Sequence, residues 1–321
     1  MSNKHFLHIS DYTGEELWDI LKLSKEVKAK FRARENFHSF NNKSLAMIFA
    51  KPSARTRVSF EVGIDKLGGN PLTLLKGDIQ LGKSESIEDT AAVLSRYLGA
   101  ITYRCFAHSD VERLANGSSV PVINALSDLH HPCQAAADMM TILENFDDAS
   151  EVKVAWVGDG NNVLHDLMLA CSILGIDFHY AFPKGYDPAA DIVARAEDFA
   201  KENGSEMVGT NDPKEAVKDA NVIYTDVFIS MGEEDMKDKL ADFDGFQINM
   251  ELIAGANDKW AFMHCLPAHR GDEVTDAVMD HANSIVFDQA ENRMWAQMSL
   301  MAYLIDNPAW SAMGEMMGVG F

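Results

Sequence analysis

Positive charge is scarce in this chain. Lys and Arg total 28 against 49 Asp and Glu, a formal net charge of −21 over 321 residues. Nucleic acid and anionic membrane surfaces both call for a basic face, so this balance argues against either as a partner. It also makes any local gathering of arginines informative. Cysteine is equally sparse. Cys105, Cys133, Cys171 and Cys265 form no CxxC pair, and so sparse a set fits a reducing compartment. No apolar run approaches the ~20 residues of a membrane span. The opening residues, MSNKHFLHISDYTGEELW, lack the cationic start and apolar core of a secretory signal, so the expected location is the cytoplasm. Low complexity and short internal repeats are missing too. The acid excess fits solubility, or a salty or cold habitat, and does not choose among them.

What is present is an ordinary globular composition, 47% apolar and 24% charged, long enough for two domains of the usual ~100–200 residues. Its organising stretch is Ser44 to Gly68, SLAMIFAKPSARTRVSFEVGIDKLG. Leu45 to Ala50 has the continuous apolar character of a buried parallel strand. Lys51-Pro52 breaks it. Phe60, Ile64 and Leu67 then fall on one helical face, and Gly68-Gly69 ends the helix. Ser53-Ala54-Arg55-Thr56-Arg57 therefore stands where a strand hands over to a helix. Free N–H groups and the positive end of the helix dipole suit an anion there, and arginines add bidentate donors. This predicts a phosphate or phosphoryl site. The competing reading is that Ser53 only caps the helix and the arginines are solvated.

Before this stretch, Thr13-x-x-Glu16 has the form of a capping box. It opens an amphipathic helix that is expected to end in the basic, polar Lys28 to Asn36. After it, Asn70–Leu75 predicts a strand, Gly77–Ser86 a polar loop and Ser86–Leu98 a helix. In that loop Gln80 and Lys83 either reach a ligand or are solvated. Ala100–Tyr103 predicts a strand ending at Arg104, where open α/β sheets bind ligands. Val120–Asn124 predicts another. His131-Pro132-Cys133-Gln134 then leads into a helix, with Pro132 in its first turn. A metal reading of His130, His131 and Cys133 is set aside, because adjacent ligands rarely converge on one ion.

A polar, acidic break at Asn145–Glu151 marks the expected domain boundary. Beyond it the strand–helix rhythm restarts. Strands are expected at Val152–Val157, Asp177–Phe182, Asn221–Val227, Trp260–Met263 and Ser284–Phe287. Helices are expected at Val163–Leu174, Pro188–Glu202 and Glu291–Ile305. Strands alternating with helices in both halves predict two parallel sheets covered by helices. Gly158-Asp159-Gly160-Asn161-Asn162-Val163 fails as a dinucleotide fingerprint. Val163 occupies the third glycine position, and no acidic residue ends the next strand. Its glycines instead allow a tight turn presenting Asn161 and Asn162, amides able to hold a carboxylate. Cys265, after a strand, is either an activated nucleophile or an inert small hydrophobe.

Taken together, Ser53–Arg57, His131–Gln134, Asp226 with Ser230-Met231-Gly232, and His264-Cys265-Leu266-Pro267 resemble the carbamoyltransferases, in this order and over about residues 5–305. The last two motifs resemble the ornithine branch rather than the aspartate-specific one. The resemblance implies an α/β fold of two doubly wound domains, with N- and C-terminal helices joining them. Residues 1–147 would bind carbamoyl phosphate and residues 148–321 the amino acid, the helix from about 291 packing back toward the first domain. It implies that Ser53, Ala54, Arg55 and Thr56 hold the phosphate and that Arg104 bridges phosphate and carbonyl oxygen. His131 and Gln134, in the run with Pro132 and Cys133, would hold the carbamoyl group. Gln80 would come from a neighbouring subunit of a trimer or a multiple of trimers. Asn162 would bind the ornithine carboxylate and Asp226 its α-amino group, while Ser230 and Met231 close over it. Cys265, Leu266 and Arg293 would complete the site, with Arg55, Arg104, His131, Asp226 and Cys265 as its catalytic set. Ala54 departs from the more frequent Thr, although a backbone N–H serves there. The implied reaction is carbamoyl transfer to the δ-amine of ornithine, without metal or organic cofactor. The alternatives are another amine such as putrescine or N-acetylornithine, a nicotinamide-dependent oxidoreductase, and a catalytically silent relative.

Overall fold

The computed structural model describes residues 4–35, 40, 42–79, 81–82, 84–230, 236 and 238–305. The chain forms two compact units. One holds the chain up to Met140 and resumes at Asn292; the other is Thr141–Glu291.

In the first unit, β1 (Ser44–Phe49), β2 (Asn70–Leu75), β3 (Ala100–Arg104) and β4 (Val122–Leu126) form a parallel sheet in the order β2-β1-β3-β4. The apolar strands β1 and β3 are central and buried, while β2 lies at an edge and is largely exposed. Helix Ala54–Lys66 buries Phe60 and Ile64, and Leu67 just beyond it, as their spacing predicts. Thr13 and Glu16 form the expected capping box. The helix they open, Gly14–Arg32, ends within the expected Lys28–Asn36 stretch, and Lys28 belongs to its buried face. Its Nζ donates to Asn292 Oδ1 at 2.7 Å. Lysine buries its four-carbon stem readily when the ammonium finds an acceptor.

In the second unit, β5 (Lys153–Val157), β6 (Asp177–Ala181), β7 (Met207–Thr210), β8 (Val222–Thr225) and β9 (Ala261–His264) form a parallel sheet in the order β7-β6-β5-β8-β9. Both sheets are doubly wound: chain order reverses beside β1 in one and beside β5 in the other. Two differences from the sequence expectation concern the strands. β7 escapes a sequence reading because it is four residues of modest hydrophobicity at an edge. The apolar run Ser284–Phe287 is not a strand. Ser284 makes one bridge to Phe262, and the closing helix begins at Val286 instead of Glu291. Only Ile285 and Val286 of that run are buried, and Phe287 is 70% exposed. The helix-forming Gln289-Ala290-Glu291 behind them takes over the backbone.

The turn after β5 is built tightly. Gly158 adopts φ +154. A Cβ on Gly160 would lie 2.4 Å from the backbone nitrogen of Pro188. Trp156 is fully buried, and its Nε1 donates to the carbonyl of Asp159 at 3.2 Å. Gly160→Ala must displace backbone, so a loss of about 1–3 kcal/mol is expected. Thermal or denaturant unfolding of the variant checks this, and an unchanged midpoint would contradict it.

Candidate active site

In the first unit, β1 delivers the chain to Ser53, whose Oγ accepts from the Thr56 N–H at 3.3 Å and caps helix Ala54–Lys66. The capping role is therefore real, but it is not the whole role of the segment. Thr56 is buried, and its Oγ1 accepts from Arg293 Nη2 at 3.2 Å. Arg293 Nη1 donates to Gln134 Oε1 at 2.6 Å, and Gln134 Nε2 donates to Asp138 Oδ1 at 2.8 Å. Residues far apart in sequence thus meet at the mouths of two helices, Ala54–Lys66 and Pro132–Asn145. Arg104 ends β3 and is buried. His131, also buried, has its pKa pushed well below the ordinary value, by desolvation first and then by Arg293 and Arg104. It is a neutral imidazole facing two guanidiniums.

The other predicted residues divide. Arg55 and Ala54 stand exposed in the first turn of their helix. Arg57 is tied instead to Glu61, its Nε donating at 2.9 Å. Cys133 turns its thiol into the sheet and donates to the Asn124 carbonyl at 3.5 Å, so only its backbone faces the helix mouth. Gln80, Lys83, Met231 and Gly232 lie outside the described residues.

In the second unit, Asn161 performs two tasks with one amide. Its Oδ1 caps helix Asn162–Leu174, accepting from Val163 and Leu164 N–H at 3.0 and 3.1 Å. Its Nδ2 donates to Asp226 Oδ2 at 2.9 Å. The thiol of Cys265 donates to the other oxygen, Asp226 Oδ1, also at 2.9 Å. Asp226 is thus a buried carboxylate held by two neutral donors. Asn162 opens the same helix, and half-buried Ser230 follows the core residue Phe228. Asp159, at the tip of the turn, pairs with the buried ammonium of Lys239 at 2.7 Å. The sequence reading gave Asp138 and Lys239 no role, and it gave Asn161 no part in holding Asp226. The doubled amide Asn161-Asn162 was the one signal available, and it does not say which amide faces the ligand.

His264 is fully buried. Its Nδ1 accepts from the Leu266 N–H at 2.9 Å, which leaves the proton on Nε2 to meet Glu273 Oε1 at 3.1 Å. This braces the Cys265-Leu266 turn, where Leu266 sits at φ +58. Ligand atoms of Asp226, His264 and Cys265 lie within 4.8 Å of one another. Hydrogen bonds engage both His264 nitrogens, the Cys265 thiol and both Asp226 oxygens.

The two units together define a group transferase. One presents guanidiniums at helix mouths for an anionic donor, and the other a buried carboxylate for a cationic acceptor. Comparison with known proteins agrees. Residues 4–144 match the carbamoyl-P binding domain of aspartate/ornithine carbamoyltransferase, and residues 150–304 match its Asp/Orn binding domain. The ornithine carbamoyltransferase of Pyrococcus horikoshii is 50% identical over 95% of this chain and 96% of its own. That of Listeria monocytogenes is 48% identical over 95% and 96%. The solved structure of the Pyrococcus furiosus ornithine carbamoyltransferase superposes with a TM-score of 0.92 at 50% identity, covering 95% of this chain and 97% of that one. The Thermus thermophilus structure gives 0.85 at 39%, covering 94% and 99%. The chain belongs to the aspartate/ornithine carbamoyltransferase family.

The depressed pKa of His131 has a consequence for stability. The folded chain keeps this imidazole neutral, whereas the unfolded chain protonates it below its ordinary value of 6.5. The unfolded state therefore binds more protons, and stability falls as pH drops below that value. Thermal midpoints measured from pH 7.5 to 5.5 should fall more steeply for the wild type than for His131→Asn. Parallel curves would contradict the assignment.

Proposed function

We propose that this protein transfers the carbamoyl group of carbamoyl phosphate to the δ-amine of L-ornithine, giving L-citrulline and phosphate. The observation that carries this reading is the hydrogen-bonded array Thr56–Arg293–Gln134 with neutral His131 and Arg104 beside it. It offers donors to a phosphate and both a donor and an acceptor to a carbamoyl group. The relatives' shared name supports the reaction, and the Pyrococcus furiosus relative, 50% identical, is named anabolic, which supports arginine synthesis as the direction.

In this reading residues 1–147 bind carbamoyl phosphate and residues 148–321 bind ornithine. Ser53, Ala54, Arg55 and Thr56 hold the phosphate, with backbone N–H groups serving at Ala54. Arg104 spans phosphate and carbonyl oxygen. The δ-amine attacks the carbamoyl carbon, the carbonyl oxygen gains charge in a tetrahedral intermediate, and the C–O bond to phosphate breaks. Arg104, Thr56 and neutral His131 donate to that oxygen as its charge develops, and positioning supplies much of the remainder. Asp226 holds the α-ammonium and Asn162 the carboxylate, with Ser230, Met231, Cys265 and Leu266 around them. N-acetylornithine lacks the cation that Asp226 is set up to hold, and putrescine lacks the carboxylate.

Purified protein given carbamoyl phosphate and, separately, ornithine, putrescine, N-acetylornithine or aspartate should form citrulline from ornithine alone. An amine of pKa about 10.4 costs about 4.6 kcal/mol to deprotonate at pH 7, so kcat/KM for ornithine should climb from pH 6 to above 8. A flat profile would count against amine attack as the sensitive step.

The reading extends to a homotrimer, or a multiple of trimers, in the cytoplasm, with Gln80 supplied across subunits. Its support is an apolar surface beside Arg55. Val58 and Val62 are exposed on the same helix, and Leu72 and Leu75 on the edge strand β2. No helix among the described residues is long and apolar enough to cross a membrane. Sedimentation equilibrium should return three times the 35.5 kDa chain mass, or a multiple of that; a fully active monomer would overturn the shared site.

A further inference from the structure

Asp138 lies four residues beyond Gln134 on helix Pro132–Asn145, one turn along the same face, and is fully buried. It belongs to none of the motifs that pointed to the site. It meets the amide of Gln134, whose Nε2 donates to Asp138 Oδ1 at 2.8 Å while its Oε1 accepts from Arg293 Nη1 at 2.6 Å. The chemistry of the two neighbours fixes which way round this amide stands. A guanidinium can only donate, so it must face the amide oxygen. An ionised carboxylate can only accept, so it must face the amide nitrogen. A flipped amide would set donor against donor at Arg293 and acceptor against acceptor at Asp138, in an interior where such mismatches are costly.

We propose that Asp138 is a positioning residue that locks the Gln134 amide with its oxygen available to the carbamoyl NH2, and that this polarity lets the pocket tell carbamoyl phosphate from an acyl phosphate lacking an N–H, such as acetyl phosphate. The proposal rests on the first unit being the carbamoyl-phosphate site. An amide oxygen has two lone pairs. Arg293 occupies one, and the second suits a donor. The NH2 of a carbamoyl group supplies that donor, whereas the methyl of an acetyl group leaves a buried acceptor unpaired. A single buried acid thus sets specificity through the glutamine it holds, without touching substrate.

The test exploits the polarity. In Gln134→Glu, a carboxylate faces the carboxylate of Asp138, and kcat/KM for carbamoyl phosphate should fall about 100-fold or more. In Asp138→Leu, close in size but with no acceptor, one of the two locks on the amide is lost, whereas Asn could still offer its oxygen to Gln134 Nε2. There kcat/KM should fall about tenfold, and the ratio of the acetyl phosphate inhibition constant to the carbamoyl phosphate KM should fall toward one. That ratio does not depend on how much of a variant is folded. In the double variant, Gln134→Glu with Asp138→Asn, the introduced amide can donate to the introduced carboxylate, so at least a tenfold recovery over Gln134→Glu is expected. A residue that merely fills space would give losses that multiply. A double variant no better than Gln134→Glu, or an unchanged discrimination ratio in Asp138→Leu, overturns the proposal while wild-type citrulline formation stands. A wild type that forms no citrulline overturns the underlying reading and this proposal with it.

Discussion

Parallel strands all end on one edge of their sheet, and in each unit of this protein the chain order reverses at one place along that edge. Connections leave to opposite sides there, so a crevice opens between two strand ends. In the first unit the reversal falls between β1 and β3, and the segments leaving those strands carry Ser53–Thr56 and Arg104. In the second it falls between β5 and β8, and the departing segments carry Asn161-Asn162 and Asp226. Helix mouths lie in both crevices, so each also gains free N–H groups and a favourable dipole for anions. Side chains tens of residues apart are gathered at one sheet edge by this topological constraint, and Arg293 on the closing helix adds a contact of longer range.

The refinement follows the same electrical logic twice, with opposite sign. Burying a charge beside its full counter-charge would neutralise it and leave little for a ligand; burying it alone would be costly. Arg293 donates to two neutral acceptors, Thr56 Oγ1 and Gln134 Oε1, and the acid Asp138 accepts from the far side of the Gln134 amide. Asp226 does the reverse. It accepts from neutral donors, the Asn161 amide and the Cys265 thiol. His131 completes the pattern. Held neutral by burial and two nearby guanidiniums, it can donate one N–H without adding a third positive charge. On a chain of net charge −21, such local positive fields exist because the few cations involved are enclosed away from the general acidity.

Much of the fold was legible in the sequence because its signals are local. The change from an apolar run to a 3.6-residue period at Lys51–Ser53, the Thr13–Glu16 capping box and the Gly158–Gly160 turn each need only a few adjacent residues. The strand-end position of Arg104 follows from the same reading, whereas the strand expected through Val227 stops at Thr225 and leaves Asp226 just beyond it. What stayed hidden depends on distant partners. Lys28 looks like a solvated basic residue until Asn292 accepts from it. Cys133 lies inside a motif, yet its thiol turns toward Asn124. Arg57 looks equivalent to Arg55 until Glu61 claims it. Asp138 and Asn161 carry no spacing signature, because their importance lies in which atom of a neighbour they hold. The run Ser284–Phe287 misled for the converse reason: a short apolar stretch does not reveal whether a strand partner or the following helix will claim its backbone.

Ornithine presents two amines, and the transfer assigned here uses only one. Under the proposed function, in which Asp226 takes the α-amine, the arrangement around this carboxylate would account for the choice. A buried carboxylate whose two existing donors are neutral favours the charged form of whichever amine lies against it. An α-amine held there would stay an ammonium, without the lone pair that attack on carbon requires. The δ-amine, three methylenes away from the α-carbon, escapes that field and can lose its proton. Chemical selectivity between two amines of the same molecule then needs no group that recognises the δ position directly. It follows from trapping the competitor, and the thiol of Cys265 contributes as a hydrogen-bond donor that helps to hold the trap in shape.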